Sequence, residues 1–406
     1  VRTEILSDAP LLHQIALAEA PELSPIAWIR GDEGLMGFGE YARVEIKGPD
    51  RFAQARRWWQ EQLRDLDIHN NVHGFGTGPI LFASFSFDEN APSILTIPRV
   101  LLGMRGDRKW ITWIGSDPEP ALMESIVEAK PLDINWQGSN GDLWRTRVTE
   151  LIERIRSGSV EKVVLARSLD GHTSKPIDQR RLLQLLHQSY PNTWSFLHSG
   201  LIGATPELLV RLSKSMITSR VLAGTIKRSG DDAKDLALAA SLARSSKDLE
   251  EHEYAVRSVA DAIAPLCSSI NVPESPFVLH LANVMHLATD VTGVLNDAAV
   301  APDIFDSLER LHPSAAVCGT PRAAAAAAIN EIEGDMRGRY AGPVGWIDIR
   351  MDGEFGIALR CGQIDSAKNS IRIYAGCGIV SGSDPADEYA ESEAKLLAMR
   401  SALAAH

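Results

Sequence analysis

The chain has 406 residues, of which 45% are hydrophobic, and 53 acidic against 41 basic side chains give it a formal net charge of -12 at pH 7. Such a composition is typical of a globular protein with one large domain or two average ones. The negative charge argues against nucleic acid or an anionic membrane surface as a partner, so an anionic ligand would need locally placed cations.

The compartment is predicted from three sequence features. The first residues show no basic segment followed by an apolar one, so we expect no signal peptide. No apolar run is long enough to cross a bilayer. The cysteines, at Cys267, Cys318, Cys361 and Cys377, lack metal-ligand spacing and are expected to be reduced thiols. We therefore expect a cytoplasmic protein.

Residues 1–140 are predicted to be mostly β, with one helix over 51–66 and strands that include 98–102 and 109–114. No catalytic constellation is visible in this part. Residues 115–142 contain three prolines and a Gly-Ser-Asn-Gly turn, which predicts a boundary or a long connection. Helices are then expected over 143–157 and 180–190.

The segment 160–167, Val-Glu-Lys-Val-Val-Leu-Ala-Arg, is predicted to be a short buried strand. Because side chains alternate along a strand, Lys162 is the only charge on a face shared with Val160, Val164 and Ala166. Burial lowers the pKa of a lysine, and a neutral lysine can act as a general base. The alternative is an edge-strand lysine whose ammonium reaches solvent.

Two further positions suggest chemistry. Glu207 directly follows Pro206 at the start of an apolar strand, where burial would raise its pKa and make it a general acid. An exposed turn carboxylate is the alternative. The strand 221–226 bends at Gly224-Thr225, which is either an ordinary bulge or a point where backbone approaches a ligand.

Acidic pairs lie on two predicted helices. In the helical stretch 232–265, Asp248 and Glu251 share one face, and Glu388 and Glu391 do so near the C-terminus, followed by Lys395. Solvated acidic faces are one interpretation. The other is that both pairs converge on Mg²⁺, which prefers carboxylate oxygens and the anionic group of a substrate.

Strands are predicted over 355–361, 370–375 and 376–380, after a helix that starts at Arg322. Arg360 falls inside the first of these apolar strands. A buried guanidinium needs an anion, which is either a carboxylate of the protein or one of a substrate.

Taken in order, these segments resemble the chorismate-utilising enzymes, the family of isochorismate, salicylate, anthranilate and aminodeoxychorismate synthases. The resemblance covers residues 145–400, and residues 1–140 are only loosely similar. The motifs that carry it are Lys162–Arg167, Thr205-Pro206-Glu207, Leu222-Ala223-Gly224-Thr225, Asp248…Glu251-His252, His286-Leu287, Cys318-Gly319-Thr320-Pro321, Tyr340-Ala341-Gly342, Arg360-Cys361, Ala375–Ile379 and Glu388…Glu391…Lys395.

The resemblance implies a single α+β domain over residues 1–406 with the fold of anthranilate synthase component I, in which helices lie outside large antiparallel sheets. It also implies a buried site for Mg²⁺ and chorismate, without nucleic acid or membrane as partner, in a protein expected to be monomeric. Glu251 and Glu391 match direct metal ligands, and Asp248 and Glu388 match acidic neighbours that reach the metal through water.

The resemblance assigns the remaining site residues by position. The substrate carboxylates would be bound by Tyr340, Arg360, Gly376 and Lys395. The ring would be lined by Ala223, Gly224, Thr225, His286 and Ala316. Lys162 would be the general base and Glu207 the general acid.

Three positions separate the family members by resemblance. Lys162 stands where anthranilate synthases have glutamine and favours water over ammonia as nucleophile. Ala223 replaces the attacking lysine of common aminodeoxychorismate synthases. Ala316 replaces a threonine of the enzymes that release pyruvate. The resemblance therefore implies an isochorismate synthase, an isomerase that adds water at C2 of chorismate and removes the C4 hydroxyl.

Two other activities remain open. Ser314-Ala315 stands where Thr-Pro is expected, which leaves a salicylate synthase as an alternative. A non-catalytic subunit is the other alternative, although Lys162, Glu207 and the site carboxylates are intact. The motifs do not separate menaquinone from siderophore biosynthesis as the pathway.

Overall fold

The computed structural model describes residues 1–6, 15–16, 25–115, 123–124, 132–138, 141–281, 284–297 and 301–406, with the backbone alone at residues 15, 16, 123, 124, 247 and 251. The α-helices are α1 (Arg51–Arg64), α2 (Gly141–Arg156), α3 (Gln179–Ser189), α4 (Asp232–Leu242), α5 (Ser246–Ile263), α6 (Ile304–Leu311), α7 (Arg322–Glu333) and α8 (Pro385–Ala404). None of these helices is long and apolar enough to span a lipid bilayer.

Strands make up most of the remaining described chain. They are β1 (Arg2–Ile5), β2 (Ile15–Ala16), β3 (Ile26–Arg30), β4 (Glu33–Phe38), β5 (Ala42–Ile46), β6 (His69–Asn70), β7 (Ile80–Ser84), β8 (Ser93–Ile97), β9 (Val100–Arg105), β10 (Arg108–Trp113), β11 (Met123–Glu124), β12 (Ile134–Gln137), β13 (Lys162–Thr173), β14 (Trp194–His198), β15 (Leu201–Thr205), β16 (Leu208–Ser213), β17 (Met216–Lys227), β18 (Cys267–Asn271), β19 (Phe277–His280), β20 (Val284–Leu295), β21 (Gly319–Thr320), β22 (Pro343–Asp348), β23 (Gly353–Ile357), β24 (Cys361–Asp365) and β25 (Ser370–Ile379).

Two large sheets contain these strands, apart from β2 and β11, which pair with each other. In the described chain, the first sheet runs β12-β13-β25-β24-β15-β14-β3-β4-β9-β10-β1-β6, with β21 beside β13. The second runs β18-β20-β17-β16-β23-β22-β7-β8-β5, with β19 beside β20. Among the described strands, pairing is antiparallel except between β1 and β6, which are parallel. Both sheets join strands of residues 1–115 to later strands, through β3–β14 in the first and β7–β22 in the second.

Alternating side chains of the first sheet contribute to two hydrophobic cores. Trp28 and Phe196 pack in the same core as Trp346 and Phe355 of the second sheet. The intervening residues of β3 and β14, such as Ile29, belong to a separate core with apolar residues of α3 and α8. Successive side chains of a strand point to opposite faces of the sheet, so both faces of β3 and β14 are buried, each in a different core. The first sheet therefore separates an inner core from helices on its outer face.

Side-chain caps define where the two acidic helices begin. The Ser245 hydroxyl accepts a hydrogen bond from the backbone N–H of Asp248 at the start of α5. Asp384 accepts from two N–H groups at the start of α8, which has Pro385 as its first residue. Such caps satisfy donors that have no partner within the helix, and acidic side chains are favourable in the first turn.

Several element predictions need correction. The stretch 232–265 forms two helices, α4 and α5, because the chain turns at residues 243–245. The strands predicted over 370–375 and 376–380 are one continuous strand, β25, which pairs with β13 along its length. Parts of the predicted connection over 115–142 lie outside the described residues.

Candidate active site

A cavity of about 120 Å³ lies between the two sheets. One water needs only about 10–15 Å³ on the same measure, so this space suits a small organic ligand. Its lining includes both predicted catalytic residues, every predicted substrate-binding residue and one predicted metal ligand: Lys162, Glu207, Ala223, Gly224, Thr225, His286, Ala316, Tyr340, Arg360, Gly376, Glu391 and Lys395.

Lys162 is the first residue of β13, which lies inside the first sheet. The strand pairs with β21 at Lys162 and with β25 from Val163 onward. β13 is therefore not an edge strand, because it pairs with β12 and β21 as well as with β25. Lys162 itself is half-buried at the start of the strand. Lys162 and Val164 both line the cavity, as expected for residues on one strand face.

Glu207 lies between β15 and β16 and is 7% exposed, so the exposed-turn interpretation is wrong. Burial raises the pKa of Glu207 to about 7, although the nearby charges of Arg360, Lys162 and Lys395 act in the opposite direction. Its backbone carbonyl accepts a hydrogen bond from the Ile357 N–H at 3.1 Å, which ties it to the end of β23. A large fraction of this carboxyl group is thus protonated at neutral pH.

The bend in β17 is a bulge that also borders the cavity. Pairing with β20 shifts by one residue at Gly224, which has a φ of +71°. A Cβ on Gly224 would lie 3.1 Å from the Cβ of Asp248, so both the backbone conformation and the close approach of α5 favour glycine.

His286 faces this bulge from β20. Its Nδ1 lies 3.3 Å from the Gly224 carbonyl oxygen and 3.0 Å from the Thr225 hydroxyl. Burial, with the charges of Arg360 and Lys395, lowers the pKa of His286 to about 3. The ring is therefore neutral. Because a carbonyl can only accept, we assign the proton to Nδ1, which leaves Nε2 as an acceptor, buried and without a described partner.

Arg360 lies in the connection between β23 and β24, so its predicted place inside a strand is wrong. The chain bends there with a φ of +49° for Arg360. No described carboxylate lies within ion-pair distance of its guanidinium, and burial lowers its pKa. The sequence left open whether Arg360 pairs with a carboxylate of the protein or with one of a substrate. The described residues provide no such protein carboxylate.

Lys395 connects α8 with β25. Its ammonium donates to the Gly376 carbonyl oxygen at 2.8 Å and lies 2.5 Å from a carboxylate oxygen of Glu391. Both side chains line the cavity; that of Lys395 is 16% exposed and that of Glu391 is 40% exposed. A Cβ on Gly376 would lie 3.0 Å from the Tyr340 hydroxyl oxygen, which indicates why the position holds glycine.

The four predicted metal ligands are only partly brought together by the described residues. Ligand atoms of Cys377, Glu388 and Glu391 lie within 4.8 Å of one another. Asp248 is adjacent to Gly224 at the cavity wall. The side chain of Glu251, on α5, lies outside the described residues.

Cys377 was not predicted as part of the metal site. Burial raises the pKa of its thiol to about 12, so it stays protonated and is a poor ligand for Mg²⁺, which prefers oxygen. The described cluster therefore offers carboxylate oxygens from α8 as the hard ligands.

Arg337 also lines the cavity, and the sequence reasoning did not single it out. Its guanidinium is fully buried and pairs with Glu333, and it donates to the carbonyl oxygens of Val317 and Val164 at 2.8 and 2.6 Å. Its spacing of four residues from Glu333 was the available signal. These partners make Arg337 a structural element of the cavity wall.

Comparison with known proteins agrees with this arrangement. A sequence model of the family described as chorismate binding enzyme matches residues 28–119 and 123–404. The chain belongs to the chorismate binding enzyme family. Within it, the isochorismate synthase DhbC of Bacillus subtilis is 37% identical to this chain, in an alignment that covers 80% of this chain and 81% of the DhbC chain. The isochorismate synthase MenF of the same organism is 30% identical, in an alignment that covers 91% of this chain and 85% of the MenF chain.

The family fold is also seen in solved structures. The menaquinone-specific isochorismate synthase MenF of Escherichia coli superposes with a TM-score of 0.79, covering 99% of this chain and 94% of that protein at 23% identity. The predicted α+β chorismate-binding fold is thereby confirmed.

Proposed function

We propose that this protein is an isochorismate synthase that converts chorismate to isochorismate. The observation that carries the proposal is the presence of Lys162, a protonatable Glu207 and Arg360, which has no described carboxylate partner, in one buried cavity. A base, an acid and an anion-binding cation are the groups required to exchange a hydroxyl on a dicarboxylate ring. Family membership and the activity in the names of its relatives add support.

The reaction needs two proton transfers. Lys162, as the general base, takes a proton from a water whose oxygen forms a bond to C2 of chorismate. The ring double bonds shift, the C4–oxygen bond breaks, and Glu207 gives its proton to the departing hydroxyl, which leaves as water. Each positioned transfer contributes on the order of 10²–10⁴ in rate.

Substrate orientation is assigned to the remaining cavity residues. Arg360 and Lys395 would attract the carboxylates, with Tyr340 and the open backbone at Gly376 beside them. The ring would then lie near Ala316 and the bulge of β17. The small side chains on that wall, Ala223, Gly224, Thr225 and Ala316, leave room for it, and the Nε2 acceptor of His286 can receive a hydroxyl hydrogen.

Mg²⁺ is proposed as the cofactor. Carboxylates of Glu388 and Glu391 from α8 and Asp248 from α5 fit a hard cation at the cavity wall, and we assign Glu251 to the same set. When bound, the ion would neutralise a substrate carboxylate and the local acidic charge. Glu391 already has Lys395 beside one oxygen, which holds its carboxylate towards the cavity.

Incubation with chorismate and Mg²⁺, followed by chromatography of the products, tests the proposal. We expect isochorismate, no accumulation of pyruvate in a coupled assay, and loss of activity with a chelator. Pyruvate release would instead identify a salicylate synthase, the possibility left open by Ser314-Ala315. Unchanged chorismate in the presence of Mg²⁺ would contradict both activities.

We also propose a cytoplasmic monomer. The cysteines are free thiols, as a reducing compartment would require. Size-exclusion chromatography with light scattering should give a mass near 44.2 kDa. A mass of twice that value would contradict the monomer.

A further inference from the structure

A small cavity of about 10 Å³ adjoins the active-site cavity at Glu207. Glu207, Ala255 and Ala316 line both spaces, so the predicted general acid stands between them. We call the smaller space the rear cavity, and its walls also include Leu209, Ser219, Val259, Ser314 and Ile357. Its volume is about that needed by one water molecule.

Ser314 brings a hydroxyl group to the wall of the rear cavity, in the connection between α6 and β21. Its backbone carbonyl oxygen accepts hydrogen bonds from the N–H groups of Val317 and Cys318, at 3.1 and 2.9 Å, which fixes the residue in a turn. The hydroxyl oxygen itself is buried and has no hydrogen-bond partner among the described residues. A buried polar group without a partner is costly, so a water is the expected partner of this hydroxyl.

The carboxyl group of Glu207 also lacks a hydrogen-bond partner in the part of the chain that the structure describes. When protonated, it can donate one hydrogen bond and accept others. Ser219 adds a third polar residue to the wall. It is 2% exposed and lies between Ile217 and Val221 on the face of β17 that belongs to the core. A buried water makes about two to four hydrogen bonds, which the carboxyl group and the serine hydroxyls can provide.

Each turnover of the proposed reaction leaves Glu207 without its proton, because that proton departs with the C4 hydroxyl as water. Lys162 has gained one proton at the same time. The next turnover therefore requires that Glu207 regain a proton and that Lys162 lose one, by exchange with solvent. While a ring occupies the active-site cavity, the rear cavity is another space from which a water can reach Glu207.

We propose that Ser314 is a positioning residue, whose hydroxyl holds a water in the rear cavity, and that this water hydrogen-bonds to Glu207 and returns its proton. In the return step, a solvent hydronium ion gives a proton to the water, and the water passes one of its own protons to the Glu207 carboxylate. The products are a water in place of the hydronium ion, the bound water and the carboxylic acid, so atoms and charge balance. The inference rests on the proposed function, in which Glu207 is the acid.

Steady-state kinetics of Ser314→Val and Ser314→Thr test this role, because valine and threonine have nearly the same shape and differ in the hydroxyl. Ser314→Val should lower kcat by about tenfold, as expected for one lost hydrogen bond, and should leave KM for chorismate unchanged. Ser314→Thr should restore kcat to within about twofold of the wild type, since the hydroxyl is kept. Equal values of kcat in the two variants would contradict the role of the hydroxyl.

Infrared spectroscopy tests the water without turnover. The difference between spectra recorded below and above the Glu207 pKa of about 7, after subtraction of the same difference for Glu207→Gln, isolates the C=O stretch of the protonated Glu207. Loss of the hydrogen bond from water should move this band to higher wavenumber in Ser314→Val and leave it in place in Ser314→Thr. A purely structural role of Ser314 does not predict this pattern, and an unshifted band in Ser314→Val contradicts the water site.

Ser268→Val is the matched control. Ser268 lies on β18, outside both cavities, and donates to the Val294 carbonyl oxygen at 3.2 Å, so this variant should keep the wild-type kcat and infrared band. Where circular dichroism shows that Ser314→Val does not fold, Ser314→Ala replaces it with the same expected changes, and wild-type kcat with an unshifted band overturns the proposal. If the wild type does not convert chorismate, the proposed function fails, whereas the infrared band still decides the water site.

Discussion

Two neighbouring parts of the active-site cavity differ in whether their buried charged groups have ion-pair partners. At Arg337, the guanidinium, its partner Glu333 and the adjacent carbonyl groups satisfy one another, and Glu333 also accepts from the Ala166 N–H at 2.7 Å. At Arg360 and Glu207, burial acts against the ionised forms, and no described ion pair compensates for it. The first arrangement stabilises the fold, and the second is suited to binding and proton transfer.

The largest effect on activity is expected from Lys162→Ala. Loss of the general base should lower kcat by about 10²–10⁴, whereas chorismate binding should persist because the anion-binding residues remain. Steady-state kinetics and equilibrium binding separate these effects. Lys368→Ala, a change at an exposed lysine paired with Asp365, is the control and should retain wild-type kcat. Full turnover by Lys162→Ala would remove its assignment as the base.

Arg337→Met removes the buried ion pair between Arg337 and Glu333. The change leaves the carboxylate of Glu333 buried without its partner, so we expect a loss of about 3–5 kcal/mol in the free energy of unfolding. Urea denaturation measures it.

The matched control for Arg337→Met is Arg154→Met. Arg154 of α2 pairs with Glu331 of α7, the helix that also contains Glu333. Both side chains are well exposed, so this change should cost about 1 kcal/mol or less. Equal losses for the two variants would show that burial of the Arg337 pair contributes nothing.

Arg360→Lys tests whether Arg360 differs from Arg337 in its role. The change keeps a positive charge but removes the guanidinium group, which can donate two parallel hydrogen bonds. If Arg360 binds a substrate carboxylate through two hydrogen bonds, KM for chorismate should rise by about tenfold. The free energy of unfolding should change little, in contrast to Arg337→Met, because no described ion pair is lost. A destabilisation as large as that of Arg337→Met would identify Arg360 as a structural residue.

The smallest of the expected effects on activity is the change of kcat/KM with pH. Burial raises the pKa of Glu207 from 4.5 to about 7, so the protonated form, which is the acid, predominates below pH 7 and is lost above it. Activity should therefore fall by about tenfold per unit on the alkaline side. Glu207→Gln should have a low rate and lack this alkaline limb. An unchanged limb in that variant would assign it to another group.

Much of the fold and the site could be predicted from local patterns. Alternation identified the strand of Lys162, and helical spacing placed Glu391 and Lys395 on one face. The resemblance supplied the family and the identities of the cavity residues. The proposed roles of these residues, and of Mg²⁺, stay predictions to be tested.

Other features depend on contacts between distant segments. The position of Arg360 in a bend could not be predicted, because an apolar run looks the same whether the strand continues or ends. The close approach that favours glycine at the bulge of β17 comes from Asp248, which belongs to a different element, α5.

The sequence by itself determined which side chains are present and which share a face, since these follow from spacing along the backbone. Only the tertiary structure decided their protonation and partners. Burial gives Glu207 its raised pKa, and among the described residues Arg337 has a carboxylate partner whereas Arg360 has none, because burial and distance depend on segments far apart in the chain.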